Sequence, residues 1–209
     1  MNDIPVFDKV KAYFANRFNE HGSTPRGSDW NSAEAQEKRF DQLLKVVDFS
    51  EPFSILDYGC GYAALYEYLV QRNADFQYFG FDIVEDILVA AQKGHPNCPG
   101  SHFTNSLDLV PKVDYAVVSG TFNIRLETDF DEWTEYVVHS LDQINEKTEK
   151  GFSFNLLTSY SDKEFKKPQL YYAEPCYFFD YCKRHFSRNV ALLHDYNLYD
   201  FTILVRKVA

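Results

Sequence analysis

The chain of 209 residues has only four cysteines, and their positions exclude two kinds of small protein. Cys60, Cys98, Cys176 and Cys182 form no Cys-x-x-Cys pair and have no zinc-like spacing to histidine, so we expect no metal site. Secreted proteins that depend on disulfides carry cysteine at a much higher density. The sequence therefore predicts reduced thiols and a fold that depends on neither disulfides nor metal.

The chain also lacks the long apolar run of a membrane helix and the leader of an exported protein. No stretch approaches the roughly 20 apolar residues that cross a bilayer as a helix. The opening residues, MNDIPVFDKV, lack the basic segment followed by an apolar one that characterises a signal peptide. We therefore expect a cytoplasmic protein that does not bind membranes.

Positive charge is scarce in this sequence. Asp and Glu number 31 against 21 Lys and Arg, which gives a formal net charge of −10 and a pI near 5.0. The basic residues form only short groups, such as the pair Lys166 and Lys167. Because nucleic acids attract proteins chiefly through lysine and arginine, we expect no nucleic-acid partner and favour a small-molecule ligand.

The residues that are present suffice for one large domain. A chain of 209 residues buries a hydrophobic core without the help of cross-links. The hydrophobic share of 45% is near the average of globular proteins, whereas 15 Tyr and 19 Phe exceed what a core usually contains. We expect some of these rings to line a pocket.

Two helices are predicted ahead of the main α/β region. Val10 and Phe14 share one face of an amphipathic helix near the N-terminus, and we expect this helix to pack near the pocket. A loop rich in turn-forming residues follows. Asn31 and Glu34 then have the spacing of a capping box, which predicts a second helix that ends before Pro52.

After the second helix, short apolar runs alternate with helical stretches, as in parallel α/β units. The predicted strands are Ser54 to Tyr58, Gln77 to Asp82, Ser101 to Thr104, Val113 to Ser119, Gly151 to Leu157, Val190 to Tyr196 and Asp200 to Lys207. The predicted helices between them are Ala63 to Asn73, Glu85 to Lys93, Asp131 to Glu146 and Pro175 to His185. The short link between the last two strands requires an antiparallel hairpin. The prediction is a doubly wound α/β fold: a mainly parallel seven-stranded sheet with helices on both faces and an antiparallel C-terminal hairpin.

The strongest motif is SILDYGCGYAALYEYL, in which an apolar strand leads through Gly59, Cys60 and Gly61 into a helix. Glycines allow the backbone to turn sharply and let a ligand approach the main-chain N–H groups. The N-terminus of the following helix favours polar or anionic groups. Asp57 ends the strand just before the first glycine. This combination predicts a ligand-binding turn.

A second acidic residue ends the next predicted strand. In the stretch YFGFDIVED, Asp82 stands where a carboxylate can accept two hydrogen bonds from the diol of a ribose. The carboxyl ends of neighbouring parallel strands meet at one edge of the sheet, so Asp82 and the glycine turn are expected to lie side by side. The spacing fits a nucleoside lying across these strand ends.

At these residues the chain resembles the class I S-adenosylmethionine-dependent methyltransferases, which have a Rossmann-like fold. Asp57, Gly59 and Gly61 match the acidic residue and the first two glycines of the family's first motif, with Cys60 between the glycines. Ala63 replaces the third glycine and is expected to tighten the turn. The resemblance therefore implies S-adenosylmethionine as the cofactor of this chain.

The same resemblance implies cofactor contacts at the ends of three further strands. Asp82 matches the acid that binds the ribose, and Ile83 matches the apolar residue that packs against the adenine. The matching residues after the third and fourth strands are Asn105, Ser106, Ser119 and Gly120. The family usually has Asp where this chain has Asn after the third strand, at the edge of the adenine. The end of the fourth strand borders the methyl donor and the acceptor.

The N-terminal segment is similar to that of small bacterial methyltransferases, in which a tryptophan and a helix with an Arg-Phe pair precede the sheet. Here these residues are Trp30, Arg39 and Phe40. The resemblance implies that Arg39 pairs with the cofactor carboxylate and that Trp30 helps to close the pocket. The resemblance also implies two parts within one structural domain. Residues 1–50 form the helices and the loop that cover the cofactor, and residues 51–209 form the methyltransferase core.

The activity implied is methyl transfer to a small-molecule acceptor that attacks the donor methyl group in line. This reaction requires alignment above all, and a general base only if the acceptor is a hydroxyl or a protonated amine. The candidate bases on the acceptor side are Tyr160, Tyr171, Tyr172, His194 and Asp195. We assign none of them a catalytic role at this point.

Two other functions stay open from the sequence. The run from Gly59 to Ala64 also satisfies Gly-x-Gly-x-x-Ala and Asp82 could bind the ribose of NAD(P), as in an oxidoreductase. Three features disfavour an oxidoreductase. The glycine motif follows a long N-terminal segment instead of opening the chain, no second domain is predicted, and the sequence has no Tyr-x-x-x-Lys pair. The other alternative is a non-catalytic subunit that binds the cofactor. A homodimer is also left open.

Overall fold

The computed structural model describes residues 5–22, 33–95 and 100–207, which contain six α-helices and eight strands. The helices are α1 Pro5–His21, α2 Ala33–Leu43, α3 Ala64–Gln71, α4 Glu85–Gly94, α5 Phe130–Lys147 and α6 Pro175–His185. The strands are β1 Phe53–Tyr58, β2 Phe76–Phe81, β3 Ser101–Thr104, β4 Val113–Val118, β5 Thr148–Thr158, β6 Tyr172–Ala173, β7 Asn189–Leu193 and β8 Asp200–Arg206.

All of these strands belong to one sheet. Its order is β3-β2-β1-β4-β5-β8-β7, and β6 pairs with β5 beside this path. Strands β3, β2, β1, β4 and β5 run parallel, whereas β8 runs antiparallel to both β5 and β7. The chain moves outward from β1 to β3 and then crosses back to β4, so the strand order reverses between β1 and β4. The predicted mainly parallel sheet and C-terminal hairpin are confirmed.

The sheet has one strand more than the sequence predicted. The additional strand, β6, is two residues long and pairs in parallel with Leu157 and Thr158 at the end of β5. A segment this short has no periodicity that a sequence pattern could show. Strand β7 also ends at Leu193, earlier than the predicted Tyr196, whose hydroxyl shares a hydrogen bond of 3.0 Å with that of Thr202.

The helices lie close to their predicted positions. Helix α6 has the predicted bounds: it begins at Pro175, whose missing N–H is tolerated in the first turn, and ends at His185 after two further basic residues. Helix α3 begins one residue later than predicted because Ala63 has a φ of 67°. In the described part of the chain, no helix combines the length and the apolarity needed to cross a bilayer.

Helices cover both faces of the sheet because successive strand residues alternate between two apolar clusters. On β1, Leu56 belongs to a cluster that includes side chains of α5 and α6, whereas Ile55 belongs to one that includes side chains of α2 and α3. Strand β4 alternates in the same way, with Val118 in the first cluster and Val117 in the second. The doubly wound arrangement is therefore confirmed.

Strand β5 begins earlier than predicted because it contains a bulge beside β4. Val113 pairs with Thr148 and Tyr115 pairs with Gly151, so β5 has one extra residue between these pairs. At this point the backbone of β8 comes very close. A Cβ atom on Gly151 would lie 2.3 Å from the carbonyl oxygen of Val205. The bulge therefore requires glycine.

We expect Gly151→Ala to lower the free energy of unfolding by about 1–3 kcal/mol, because the methyl group would overpack against backbone that cannot move aside. The matched control is Gly94→Ala at the end of α4, where no atom lies within 4 Å of the added Cβ. The control should stay within about 0.5 kcal/mol of the wild type or exceed it. Urea denaturation measures both, and equal effects would contradict the steric argument.

Candidate functional site

A cavity opens at the carboxyl ends of β1, β2 and β4. This is the edge at which the strand order reverses, where open α/β sheets bind their ligands. Apolar and aromatic side chains and a few polar groups line it, as in small-molecule sites. Residues of α1, α2, the turn between β1 and α3, the end of β2 and the loop after β4 line it, together with one tyrosine of α5.

The turn after β1 is shaped by two glycines in left-handed conformations, Gly59 with a φ of 81° and Gly61 with a φ of 54°. Gly59 also has no room for a side chain. A Cβ there would lie 2.3 Å from Oγ1 of Thr121, which donates a hydrogen bond to the carbonyl oxygen of Tyr58 at 3.0 Å. The N–H of Gly59 donates to the carbonyl oxygen of Phe81 at 2.7 Å. The turn is thus fixed from both neighbouring strands.

Ala63 occupies the position of the missing third glycine and adopts the left-handed conformation that glycine would favour. Its φ and ψ are 67° and 38°, and its side chain is fully buried. This conformation costs about 1–2 kcal/mol for a residue with a Cβ. Helix α3 begins at the next residue, and Ala64 and Leu65 line the cavity. The N-terminus of α3 therefore faces the ligand space.

Asp82 follows β2 directly, and its carboxylate holds the glycine turn. Oδ2 accepts a hydrogen bond from the N–H of Gly61 and Oδ1 accepts one from the N–H of Val84, each at 3.0 Å. Burial raises the pKa of Asp82, whereas the backbone donors at Val84 and Gly61 lower it. A carboxylate offers about four lone-pair positions. The N–H of Ile83 also acts on this carboxylate, which keeps acceptor capacity for a ligand.

Asp57 lines the same cavity from the end of β1 and is only 3% exposed. The hydroxyl of Tyr78 donates a hydrogen bond to its Oδ2 at 2.6 Å. Burial raises the pKa of Asp57 to about 7, the Tyr78 hydrogen bond opposes this shift, and the charge of Asp82 adds to it. Burial also raises the pKa of the Cys60 thiol, which is therefore protonated at neutral pH. The cavity thus contains a carboxyl group that titrates near neutrality.

The two N-terminal helices contribute apolar and polar side chains to the cavity. Val10 and Phe14 of α1 line it, which confirms the prediction that this helix packs near the pocket. Phe40 and Gln36 of α2 line it as well. The hydroxyl of Tyr62 donates a hydrogen bond to Oε1 of Gln36 at 3.0 Å, which ties α2 to the turn after β1.

Eight of the residues predicted to contact the cofactor line this cavity. They are Asp57, Gly59, Cys60, Gly61, Asp82, Ile83, Ser119 and Gly120. The hydroxyl oxygen of Ser119 is buried and has no hydrogen-bond partner among the described residues. Since buried polar atoms are nearly always paired, this oxygen indicates that a ligand group belongs beside it.

The predicted adenine contacts after β3 do not line the cavity. Asn105 is exposed. The N–H of Ser106 donates to Oγ1 of Thr104 at 3.1 Å, so a local turn accounts for this segment. Trp30 and the predicted capping residue Asn31 lie outside the described residues.

Arg39, which the resemblance assigned to the cofactor carboxylate, has a carboxylate partner within the protein. Its Nε donates to Oδ2 of Asp200 at 2.5 Å, and its Nη1 donates to the carbonyl oxygen of Ala35 at 3.0 Å. The side chain of Asp200 is completely buried. A buried carboxylate requires a cation. Asp200 therefore competes for the guanidinium that the resemblance assigned to the cofactor, and Arg39 does not line the cavity.

The candidate general bases also lie away from the cavity lining. Tyr160 and His194 are exposed, with ring centroids 5.9 Å apart. Tyr171 is buried and shares a hydrogen bond of 2.7 Å with the hydroxyl of Thr134. Within the described ranges, no group of three or more His, Cys, Asp or Glu is arranged to hold a metal ion.

Sequence reasoning missed four residues with polar groups that line the cavity: Gln36, Tyr58, Tyr62 and Tyr136. Tyr62 directly follows the glycine motif, and that position was a usable signal. Tyr136 lies on the buried face of α5, where an aromatic residue at helical spacing indicates the core as readily as a pocket. Gln36 reaches the site from an exposed-looking helix, so no local pattern identifies it.

No family model matches the chain. A relative is nevertheless found in Mycobacterium tuberculosis: the protein Rv1506c, provisionally named a methyltransferase, is 45% identical over 166 residues. The match covers 79% of this chain and 100% of Rv1506c.

Solved methyltransferase structures share the fold. Human N-acetylserotonin methyltransferase in complex with S-adenosylmethionine has a TM-score of 0.67 at 14% identity; the match covers all of this chain but 61% of the human one. A Burkholderia thailandensis N1-methyltransferase, with 1,6-didemethyltoxoflavin and S-adenosylhomocysteine bound, has a TM-score of 0.64 at 14% identity, covering 100% of this chain and 92% of the other. At such identities the likeness establishes the fold.

We expect Gly59→Ala to destabilise the protein for two separable reasons. A Cβ at a φ of 81° costs about 1–2 kcal/mol. Overpacking against Thr121 adds about 1–3 kcal/mol. Thr121→Ala removes the two closest atoms, so Gly59→Ala should cost less in that background. A double-mutant cycle of unfolding free energies measures the difference, and strictly additive effects would show that the contact is unimportant.

The raised pKa of Asp57 predicts a defined pH dependence of stability. Its pKa is 3.8 in the unfolded chain and about 7 in the folded protein, so the neutral form favours folding. Its contribution is complete below pH 4 and is lost as the pH rises to 7, on the order of 3–4 kcal/mol. Asp57→Asn removes this titration. Between pH 4 and pH 7.5 the wild type should lose this contribution to its free energy of unfolding, whereas the variant has none to lose. Denaturation at both pH values measures the two changes, and equal changes in the two proteins would contradict the assignment.

Proposed function

Because the chain belongs to the class I S-adenosylmethionine-dependent methyltransferases, we propose that the cavity binds this cofactor and that the methyl group passes to a small-molecule acceptor. The observation that carries the proposal is the geometry of Asp82. Its two oxygens hold the glycine turn, and the carboxylate keeps acceptor capacity for a ligand in the cavity that it lines.

The ribose and the adenine are assigned to the end of β2. The vicinal hydroxyls of a ribose can donate hydrogen bonds to the carboxylate of Asp82, because the backbone N–H groups around it leave part of its acceptor capacity unused. Ile83 and Ile87 line the cavity next to this carboxylate and offer apolar surface for the adenine. Asn105 and Ser106 are not needed for this placement.

The amino-acid tail of the cofactor carries an ammonium group and a carboxylate, and the cavity offers a group of opposite charge to each of them. Asp57 offers a carboxylate to the ammonium group. The N-terminus of α3, at Ala64, offers backbone N–H groups and a partial positive charge to the carboxylate. No lysine or arginine is found among the described lining residues, so the helix terminus takes the role that the resemblance gave to Arg39.

S-adenosylmethionine supplies a methyl group on a sulfonium sulfur, a good leaving group. The protein has to align the acceptor, and alignment alone can lower the barrier by up to roughly 7–11 kcal/mol. Ser119 and Gly120 at the end of β4, and Tyr136 of α5, line the part of the cavity assigned to the methyl group. Burial raises the pKa of Tyr136 far above its ordinary value, so its phenol stays neutral and donates or accepts hydrogen bonds without acting as a charge.

The acceptor is assigned to the class of small molecules. The cavity combines apolar walls with a few polar groups, as small-molecule sites do. A similar fold in Burkholderia thailandensis holds 1,6-didemethyltoxoflavin, a small acceptor. A net charge of −10 disfavours nucleic acid as the substrate. The proposal includes a cytoplasmic site of action, which the scarcity of cysteine supports.

Residues 1–50 are proposed as the part of the domain that covers the cofactor, and residues 51–209 as the catalytic core. The support comes from the cavity lining, to which α1 contributes Val10 and Phe14 and α2 contributes Gln36 and Phe40. These two helices therefore bound the ligand space that the core opens at its strand ends.

We expect Asp82→Ala to weaken the binding of S-adenosylhomocysteine about 30- to 1,000-fold, because two charge-assisted hydrogen bonds together contribute about 2–4 kcal/mol. Isothermal titration calorimetry measures the affinity, and circular dichroism establishes that the variant is folded. A folded Asp82→Ala protein that binds as the wild type does would refute the ribose assignment.

The matched control is Asp86→Ala, which removes an exposed carboxylate from the first turn of α4 and should leave the affinity unchanged. The same titration with NAD tests the rival function on the wild-type protein. Binding of NAD in preference to S-adenosylhomocysteine would favour the oxidoreductase. Tight cofactor binding without turnover of any acceptor would favour the non-catalytic subunit.

A further inference from the structure

A series of buried polar groups leads from α2 to the cavity and includes three residues that the proposed function does not use, Arg39, Asp200 and Asn155. Arg39 donates from Nε to Oδ2 of Asp200 at 2.5 Å. The same oxygen accepts a hydrogen bond from Nδ2 of Asn155 at 2.8 Å. Oδ1 of Asn155 in turn accepts a hydrogen bond from the N–H of Gly120 at 2.8 Å. Asn155 and the side chain of Asp200 are fully buried.

The charge of Asp200 determines which end of the Asn155 amide faces the cavity. A carboxylate only accepts hydrogen bonds, so it selects the orientation in which the amide nitrogen of Asn155 points toward β8. The amide oxygen then points toward the loop after β4, where it can accept from Gly120. Arg39 places a cation beside this buried carboxylate, at the same oxygen that accepts the hydrogen bond from Asn155.

The bond to Asn155 fixes a peptide group that lines the cavity. Gly120 has a φ of 70°, a left-handed conformation at the end of β4. In a trans peptide the N–H and C=O groups point in opposite directions. The N–H of Gly120 points toward the side chain of Asn155, so the carbonyl oxygen of Ser119 points away from that side chain.

We propose that Asn155 is a positioning residue for methyl transfer, which holds the peptide between Ser119 and Gly120 in the orientation that the bound cofactor requires. Asp200 and Arg39 fix the orientation of Asn155. This inference rests on the proposed function of the cavity. The buried hydroxyl of Ser119, without a partner among the described residues, supports a ligand contact at this segment.

Stability alone does not account for the arrangement. Oδ1 of Asp200 is buried and has no hydrogen-bond partner among the described residues, so the pair with Arg39 is incompletely satisfied. A buried ion pair of this kind contributes little to stability compared with apolar residues of similar volume. Its place between α2 and the end of β4 is explained by the orientation that it imposes on Asn155.

The test compares Asn155→Ala with Ser153→Ala on the same strand. Ser153 is fully buried and its Oγ donates to the carbonyl oxygen of Leu43 at 2.9 Å, so its replacement also removes a buried hydrogen bond between β5 and the end of α2. We expect Asn155→Ala to weaken S-adenosylhomocysteine binding about five- to tenfold by calorimetry and to shift the amide resonance of Gly120. Ser153→Ala should lower the thermal midpoint and leave both readouts unchanged. Equal losses of affinity in the two variants would overturn the inference.

The variant Asn155→Asp separates affinity from stability. Aspartate retains an oxygen for the N–H of Gly120 but places a second carboxylate beside Asp200, which is destabilising. We expect it to be less stable than Asn155→Ala and yet to bind S-adenosylhomocysteine more tightly. Affinities that follow the order of stability would contradict the positioning role, and this comparison decides the matter even if the control variant Ser153→Ala does not fold.

The two proposals fail differently. If the wild-type protein does not bind S-adenosylhomocysteine, the proposed function is refuted and the positioning role falls with it. If the wild type binds and Asn155→Ala binds equally well, with an unchanged Gly120 resonance, only the positioning role is refuted.

Discussion

Strand β1 lies between β2 and β4, and the parallel register of these three strands creates the site. Tyr58, the last residue of β1, pairs with Phe81, the last residue of β2, so both strands end at the same level. The N–H groups of Gly59 and Cys60 then reach the carbonyl oxygen of Phe81 at 2.7 and 3.0 Å. Asp82 directly follows β2, and its carboxylate accepts a hydrogen bond from the N–H of Gly61 in the same turn. A slip of register would separate the acid from the glycines that it holds.

Much of the site could be predicted because its signals are local. The acid and the glycines after β1 are contiguous in sequence, and Asp82 ends the next strand. Once both strands are recognised as parallel neighbours, their ends must meet at one edge of the sheet. The same reasoning predicted that Ile83 and Ser119, which also stand just after strands, would lie in the site, and both line the cavity. Short apolar runs that alternate with helical stretches were sufficient to predict helices on both faces, and Ile55 and Leu56 of β1 do belong to two different clusters.

The rest depends on contacts between residues that are far apart in the chain. Arg39 and Asp200 are 161 positions apart, and neither neighbourhood shows that the other exists. The resemblance therefore assigned Arg39 to the cofactor, whereas the structure gives it a protein carboxylate. Strand β6 depends on pairing with β5 alone, because two residues have no periodicity of their own. The tyrosine of α5 that lines the cavity, Tyr136, has the spacing of an ordinary core residue.

The alanine at position 63 affects when the turn loses its conformational freedom. Glycine would sample far more backbone states in the unfolded chain, and a flexible turn would have to be ordered by whatever binds to it. Alanine restricts these states, and its fully buried methyl group keeps the residue at a φ of 67°. The entropy of this loop is therefore lost during folding. The arriving molecule meets a preorganised receptor, and little of its binding energy is consumed in ordering the polypeptide around it.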